Sequence, residues 1–264
     1  AAFIKSFYRR SDMSMLELTP DFIKEFAAYL STEAGLRNGS IWANCMWLKG
    51  VVMKAHYNGL IPRNPFIQFH ISPNVKEREY LTEDELKAVM THEFADSKLA
   101  YIRDIFIFAS FTALSFVDIQ ELTNDNIVEV NGEKWILSKR HKTKVAFQVK
   151  LLDIPLQIVE RYRPMQKDNR IFPDLNYWSI CKPLKRMIRE CGITKSISFH
   201  CSRHGFATLA LSKGMPIESV SRVLGHTNIV TTQLYAKITT QKLDNDLTMF
   251  GDKLSKTFNG ITMS

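Results

Sequence analysis

The chain has 264 residues, 45% hydrophobic and 23% charged, which is enough apolar material for one large or two smaller packed domains and excludes wholesale disorder. The 35 Lys and Arg outnumber the 27 Asp and Glu, leaving a net charge of +8 that favours polyanionic partners, either nucleic acid or an anionic membrane surface. The longest apolar run, Ile105 to Val117, is too short to span a bilayer, no signal-peptide pattern opens the sequence, and Cys45, Cys181, Cys191 and Cys201 form no CxxC pair, so reduced thiols in a cytoplasmic protein are expected.

Thr19 and Pro20 supply an N-cap and a first helical position, and Phe22, Ile23, Phe26, Tyr29 and Leu30 give the helix that follows an apolar face. A second helix is predicted over about 38–58, where Ile41, Cys45, Leu48, Val52 and Ala55 recur at helical spacing. Gly59 suits the left-handed position after its last turn. Pro62, Pro65 and Pro73 then block helix continuation, and the charged stretch from Asn74 to Glu79 reads as a linker. A domain boundary is placed near residue 78.

Thr82-Glu83-Asp84-Glu85 is a capping box that opens the second domain. A long apolar helix is predicted over Leu99–Leu114. The hydrophobic period then changes. Ile127–Val130 and Lys134–Leu137, joined by Asn131-Gly132, read as a hairpin, and Val145–Leu152 adds a third strand. The tip between the second and third strands is Lys139-Arg140-His141-Lys142-Thr143-Lys144. Beyond it the chain reads as helical to about Lys256, with Pro155, Pro164, Pro173 and Pro183 breaking the first part into short pieces. The fold class expected is mainly α with a small antiparallel three-stranded sheet. The positive charge is concentrated in two stretches, Asn131 to Lys150 with six basic residues and one acid, and Lys182 to Arg222 with eight and two.

Three segments carry the candidate chemistry. In Phe199-His200-Cys201-Ser202-Arg203-His204-Gly205 a buried helix is predicted to begin near His200, which puts three basic side chains in its first turn. The N-terminus of a helix is already partly positive, so this arrangement is unfavourable unless an anion sits there. Free backbone amides with Arg203 and a histidine would make a phosphate site; the plain alternative is an arginine paired with an acid and a histidine satisfied locally. In the second segment, Pro216 starts a helix with Ile217, Val220, Val223 and Leu224 on its apolar face, and Gly225 ends it. His226 then follows a helix C-terminus, where the carbonyl end favours imidazolium. The third segment holds Tyr235; a tyrosine next to Leu at helical spacing is usually a core residue. A phenol has a reference pKa of about 10 and is a poor nucleophile unless cations stabilise its charge.

Taken in this order and spacing, His200-x-x-Arg203, Leu224-Gly225-His226 and Tyr235 resemble the tyrosine recombinase (phage integrase) family. The likeness extends over almost the whole chain. Leu81-Thr82-Glu83-Asp84-Glu85-Leu86 is similar to the family's opening of its catalytic domain, and residues up to about 75, with the Asn64-Pro65-Phe66 exit, to its small helical core-binding domain. The resemblance implies a core-type DNA-binding domain and linker over 1–78 and a catalytic domain with a C-terminal helix over 79–264. It implies that Tyr235 attacks the scissile phosphate to form a 3′-phosphotyrosyl bond, with Arg203, His200 and His226 stabilising the extra charge. A hairpin lysine protonates the leaving 5′ oxygen in this family, and Lys142 before Thr143 matches its setting. Lys139 and Lys144 are substitutes, and the plain reading of Lys142 is a phosphate contact.

One position departs from the family. In Phe111-Thr112-Ala113-Leu114-Ser115-Phe116-Val117-Asp118, Ser115 stands where the first catalytic arginine belongs, while Asp118 fits the acidic position three residues on. A hydroxyl brings no charge, and the expectation is that Arg140 or Lys139 from the hairpin partly replaces it. Lys139, Arg140 and Lys144 are also candidate DNA contacts. The resemblance further implies double-stranded DNA as partner, accessory directionality or bending proteins, a place at the bacterial nucleoid, and no metal or other cofactor. It also implies a tetramer joined by C-terminal helices, here the stretch from Thr239 to Lys256, whose Leu243, Leu247 and Phe250 suit docking on a neighbour and equally suit packing within the same chain. The resemblance implies an active recombinase, the integrase of a mobile element; the alternative is a DNA-binding relative that lost activity with the arginine, against which the retained Tyr235, Arg203, His200, His226 and Lys142 speak. A type IB topoisomerase shares the chemistry, but the small size and Leu-Gly-His favour a recombinase.

Overall fold

The computed structural model describes residues 2–72, 79–166, 168–236 and 240–257, without the side chains at 240–242 and 245. The linker stretch from Asn74, Pro73 included, lies outside the described residues up to position 78. The chain divides into two compact units, Ala1–Glu77 and Arg78–Ser264. No helix among the described residues is long and apolar enough to cross a membrane, and the four cysteines are unbridged.

The first unit holds α1 (Ala2–Tyr8), α2 (Pro20–Thr32) and α3 (Asn38–Tyr57). The Thr19 hydroxyl accepts from the Phe22 amide with Pro20 in the first turn, as the local sequence predicts. Gly59 takes φ +71° just past α3. Phe3, Phe22, Ile23, Val52, Ala55, Ile61 and Phe66 form the main core of the unit. The Asn64 side chain accepts from the Phe66 amide at 2.9 Å, an Asx turn that seats the Phe66 ring in this core.

The second unit is built around α5 (Ser97–Thr112), buried on nearly every side. From Ile105 onward its side chains are apolar except Ser110 and Thr112, whose hydroxyls donate back to Phe106 O and Phe108 O, as a helix enclosed by the core requires. It is packed by α4 (Glu83–Thr91), α7 (Asp153–Tyr162), α8 (Tyr177–Glu190) and α9 (His200–Ser212). The Thr82 capping box forms in full. The helix expected to reach Leu114 stops at Thr112, because Ala113 turns into the left-handed region at φ +56°. Ser115 then caps the short α6 (Phe116–Gln120).

Strands β1 (Ile127–Val130), β2 (Glu133–Lys139) and β3 (Ala146–Lys150) make one antiparallel sheet in the order β1-β2-β3. Asn131 and Gly132 join the first two with φ +53° and +77°, both positive as a tight hairpin requires. Ile136 pairs with Val149 and Ser138 with Phe147, so Ile136, Phe147 and Val149 face the core and Leu137 and Lys139 face out. The remaining helices are α10 (Ile217–Leu224), α11 (Val230–Gln233) and α12 (Thr240–Thr257). The predicted break at Pro183 does not occur: Pro183 lies inside α8. Its missing N–H leaves only the carbonyl of exposed Ser179 without a helical donor, and the buried row Ile180, Leu184, Met187 and Ile188 holds the helix on the core.

Candidate active site

Helix α9 begins at His200 and brings Arg203 to the inner side of its first turn, with His200 exposed. The amides expected to be free at this end are not: Cys201 N donates to Ser198 O at 2.9 Å and Ser202 N to Phe199 O at 3.2 Å. An anion here would be met by side chains rather than by the backbone.

The Arg203 guanidinium bridges two helix ends. Its Nη1 donates to Ala113 O, at the end of α5, at 2.7 Å, and its Nη2 donates to Leu224 O, at the end of α10. Terminal carbonyls lack intrahelical donors and carry partial negative charge, so they hold a cation well. The carbonyl preceding Leu224 is taken in the same way by a second arginine: Arg140 Nη2 donates to Val223 O at 2.5 Å. Consecutive carbonyls of α10 therefore set two guanidinium groups side by side.

Arg140 follows β2 and continues its inward face. It is 5% exposed, stacks on the Phe147 ring at 4.1 Å and donates from Nη1 to Asp118 Oδ2 at 2.8 Å. The same Asp118 oxygen accepts from the Ser115 hydroxyl at 2.7 Å, while Oδ1 accepts from the His141 amide at 2.9 Å. Burial alone raises the Asp118 carboxyl, but the His141 amide, Ser115 and Arg140 together carry it below the ordinary carboxylate range. One Asp118 oxygen thus holds both the guanidinium of residue 140 and the hydroxyl of residue 115. Lys139, the other expected replacement, points outward and is exposed, as are Lys142 and Lys144 on the hairpin tip.

Gly225 closes α10 in the left-handed conformation, φ +62°. A Cβ at this position would lie 2.9 Å from both Cγ and Nε of Arg140, so the absent side chain is also the room in which Arg140 lies. The turn carries His226, whose Nδ1 is 2.8 Å from Thr232 Oγ1; Thr232 is fully buried at 0% exposure. Tyr235 follows α11, its amide donating to Thr232 O at 3.0 Å. Its ring is half-buried, packed at the edge of the small core of Ala113, Ala207, Leu211, Val220 and Leu224 and 5.2 Å from the His204 ring. His204 in turn lies 4.6 Å from the ring of His200.

These side chains share one electrostatic environment. Burial, and then the charge of Arg140, lower the pKa of Arg203 to about 10, opposed by Tyr235 and Asp118. Burial, followed by Arg203, Arg140 and His200, lowers His226 to about 4. The imidazolium expected from the helix C-terminus is therefore corrected: burial, and then the neighbouring charges, outweigh the dipole, and His226 is neutral near pH 7 in the protein without an anion. Arg140 is likewise lowered, by burial first, with Asp118 opposing. The structure brings Tyr235, Arg203, His200, His226, Ser115, Asp118 and Arg140 together, and leaves Lys142 in solvent two residues from Arg140. The contributions of Gly225, Thr232, Phe147 and His204 were not evident from the sequence. The pleat of β2 was the one local signal, since it points 136, 138 and 140 to the same side. Among the described residues no group of acidic, His and Cys side chains could hold a metal.

The profile of the Phage integrase family matches residues 79–242, and that of the Phage integrase SAM-like domain matches residues 1–71. The chain belongs to the phage integrase (tyrosine recombinase) family. The chain is 32% identical to tyrosine recombinase XerA of Pyrococcus horikoshii over 177 residues, 62% of this chain and 58% of that protein. It is 25% identical to tyrosine recombinase XerC of Lactobacillus leichmannii over 81% of this chain and 77% of that one. The chain thus spans less than two thirds of the archaeal relative. Its fold is that of the Tn1549 transposon integrase, solved in complex with a circular intermediate DNA, with a TM-score of 0.76 and 18% identity over 89% of this chain and 86% of the other. A lambda integrase dimer bound to a core site shares the fold with a TM-score of 0.68 and 18% identity, over 89% and 85%.

Proposed function

We propose that this integrase is an active site-specific recombinase that cleaves and rejoins double-stranded DNA through Tyr235. The observation that carries the reading is the pair of guanidinium groups seated on the Val223 and Leu224 carbonyls with Asp118 as the one acid ion-paired to either among the described residues. Burial first, and then the adjacent positive charges, lower Arg203 and His226, and a phosphate is the partner that relieves both effects.

In this reading the Tyr235 oxygen bonds to phosphorus as the phenol proton passes to water. The bond from phosphorus to the 5′ oxygen breaks, and Lys142 delivers a proton to that oxygen. Arg203, Arg140, His200 and His226 stabilise the charge on the non-bridging oxygens. His226 Nδ1 lies 2.8 Å from Thr232 Oγ1; in this reading Thr232 donates there, which leaves the proton on Nε2 to donate to phosphate. Arg140 does the work of the arginine replaced by Ser115, and Asp118 orients it. The phosphotyrosyl bond keeps the backbone energy, so attack by a 5′ hydroxyl reverses the step with no metal or nucleotide.

Residues 1–78 act as the core-type DNA-binding domain and linker, and residues 79–264 as the catalytic domain. The exposed row of Leu243, Leu247, Phe250 and Leu254 on α12 docks on a neighbouring protomer in a tetramer on DNA. Accessory bending or directionality proteins complete the assembly of a mobile-element integrase at the nucleoid. Junction DNA from the flanks of the gene, nicked near the cleavage point, is the test substrate. An SDS-resistant protein–DNA adduct is expected from the protein and not from Tyr235→Phe. Specific binding without any adduct would instead identify a DNA-binding relative that lacks activity.

A further inference from the structure

We propose that Arg140 is also the positioning residue of Lys142, so that charge stabilisation and protonation of the leaving group depend on one tether. This rests on the reading of Lys142 as proton donor. The turn from 140 to 145 is closed by Arg140 N donating to Val145 O and Lys144 N to Arg140 O, both at 2.8 Å. His141, Lys142, Thr143 and Lys144 are all exposed. The one side chain of the turn sunk into the protein is Arg140, 5% exposed and held by Asp118, the Val223 carbonyl and the Phe147 face.

The second anchor converges on the same group, because the His141 amide donates to the other oxygen of Asp118 at 2.9 Å. The His141–Glu121 ion pair, 2.7 Å long, is half exposed on both sides and adds little in water. Lys142 is the next residue along. Its reach is therefore set by a backbone pinned through Arg140 and Asp118. An arginine borne at position 115 would stabilise the phosphate from the other element and leave the hairpin without this anchor. Moving the guanidinium onto the hairpin makes the two functions inseparable.

A sulfur at the bridging 5′ position separates them, since a thiolate leaves without a proton and no longer needs the lysine. Adduct formation is timed on oxygen-bridged and sulfur-bridged suicide DNA for the protein and for Lys142→Ala, Arg140→Ala, Asp118→Asn and the double variant R140A/K142A. The expected loss for Lys142→Ala on oxygen is about 10²-fold or more, and sulfur restores it. Arg140→Ala is expected to gain at least about tenfold more from sulfur than the unaltered protein does, and K142A to add less than about threefold on oxygen in the R140A background. Asp118→Asn, which keeps the guanidinium while weakening its tether, is expected to show the same sulfur-specific gain, and it serves if Arg140→Ala does not fold. Full additivity of R140A and K142A, with no extra gain from sulfur in either tether variant, overturns the inference while the Lys142 reading stands. Failure of sulfur to restore K142A overturns that reading and the inference with it.

Discussion

Replacing Gly225 by alanine is expected to disarm the site through Arg140. The substitution has two costs. A non-glycine residue at φ +62° is strained by about 1–2 kcal/mol. The new Cβ also meets Arg140 Cγ and Nε at 2.9 Å, where carbon atoms at rest sit roughly 3.5–4.0 Å apart. Arg140 has to retreat by about 0.6–1 Å, which stretches its 2.8 Å bond to Asp118 to about 3.5 Å, the limit of a hydrogen bond. Loss of one preorganised charged donor lowers the rate by about 10²–10³-fold. Gly214→Ala is the control, because Gly214 has φ +86° with nothing within 4 Å of its virtual Cβ and so reports strain alone. Adduct formation and thermal unfolding are measured for both variants. Similar melting points with a selectively slow Gly225→Ala are expected; equal rates within about threefold would refute the idea that the bare Gly225 backbone houses Arg140.

Ser115→Arg is expected to give no gain or a loss on suicide DNA, since Arg140 already occupies Asp118 and a third guanidinium would add repulsion; a large gain would show that the position is uncompensated. The His226 ring, neutral above a pKa of about 4, should titrate by NMR well below the 6.5 of an unperturbed histidine and move up when DNA phosphate arrives. Because this folded value lies below the unfolded one, His226 contributes stability in full above pH about 6.5 and loses it as pH falls toward about 4. An unshifted titration in the DNA-free protein would contradict the packing of His226 among Arg203, Arg140 and His200.

The elements set by local rules were legible in the sequence. Thr19-Pro20, the Thr82 capping box and Asn131-Gly132 each fix their own backbone within a few residues, and each forms as read. The end of α5 was placed two residues too far because nothing local marks Ala113 as left-handed; Arg203, 90 positions away, binds its carbonyl. Pro183 misled for the converse reason, as tertiary packing of the row from Ile180 to Ile188 outweighs one lost hydrogen bond. The sequence reading leaves Arg140 and Lys139 open; the fold separates them, because Arg140 lies on the inward side of β2 and finds partners on α6 and α10, while Lys139 is exposed. The charge of His226 is not legible locally, because it depends on burial by the tertiary fold and then on two arginines and a histidine from other elements.

The central claim is that the phenol oxygen of Tyr235 becomes bonded to DNA phosphorus. Protease digestion of the trapped complex, followed by mass spectrometry of the peptide that retains a nucleotide, tests it directly. The account predicts a single modified residue, Tyr235, joined to a 3′ phosphate and lost in Tyr235→Phe. A nucleotide on any other residue, or a 5′-linked phosphate, would contradict it.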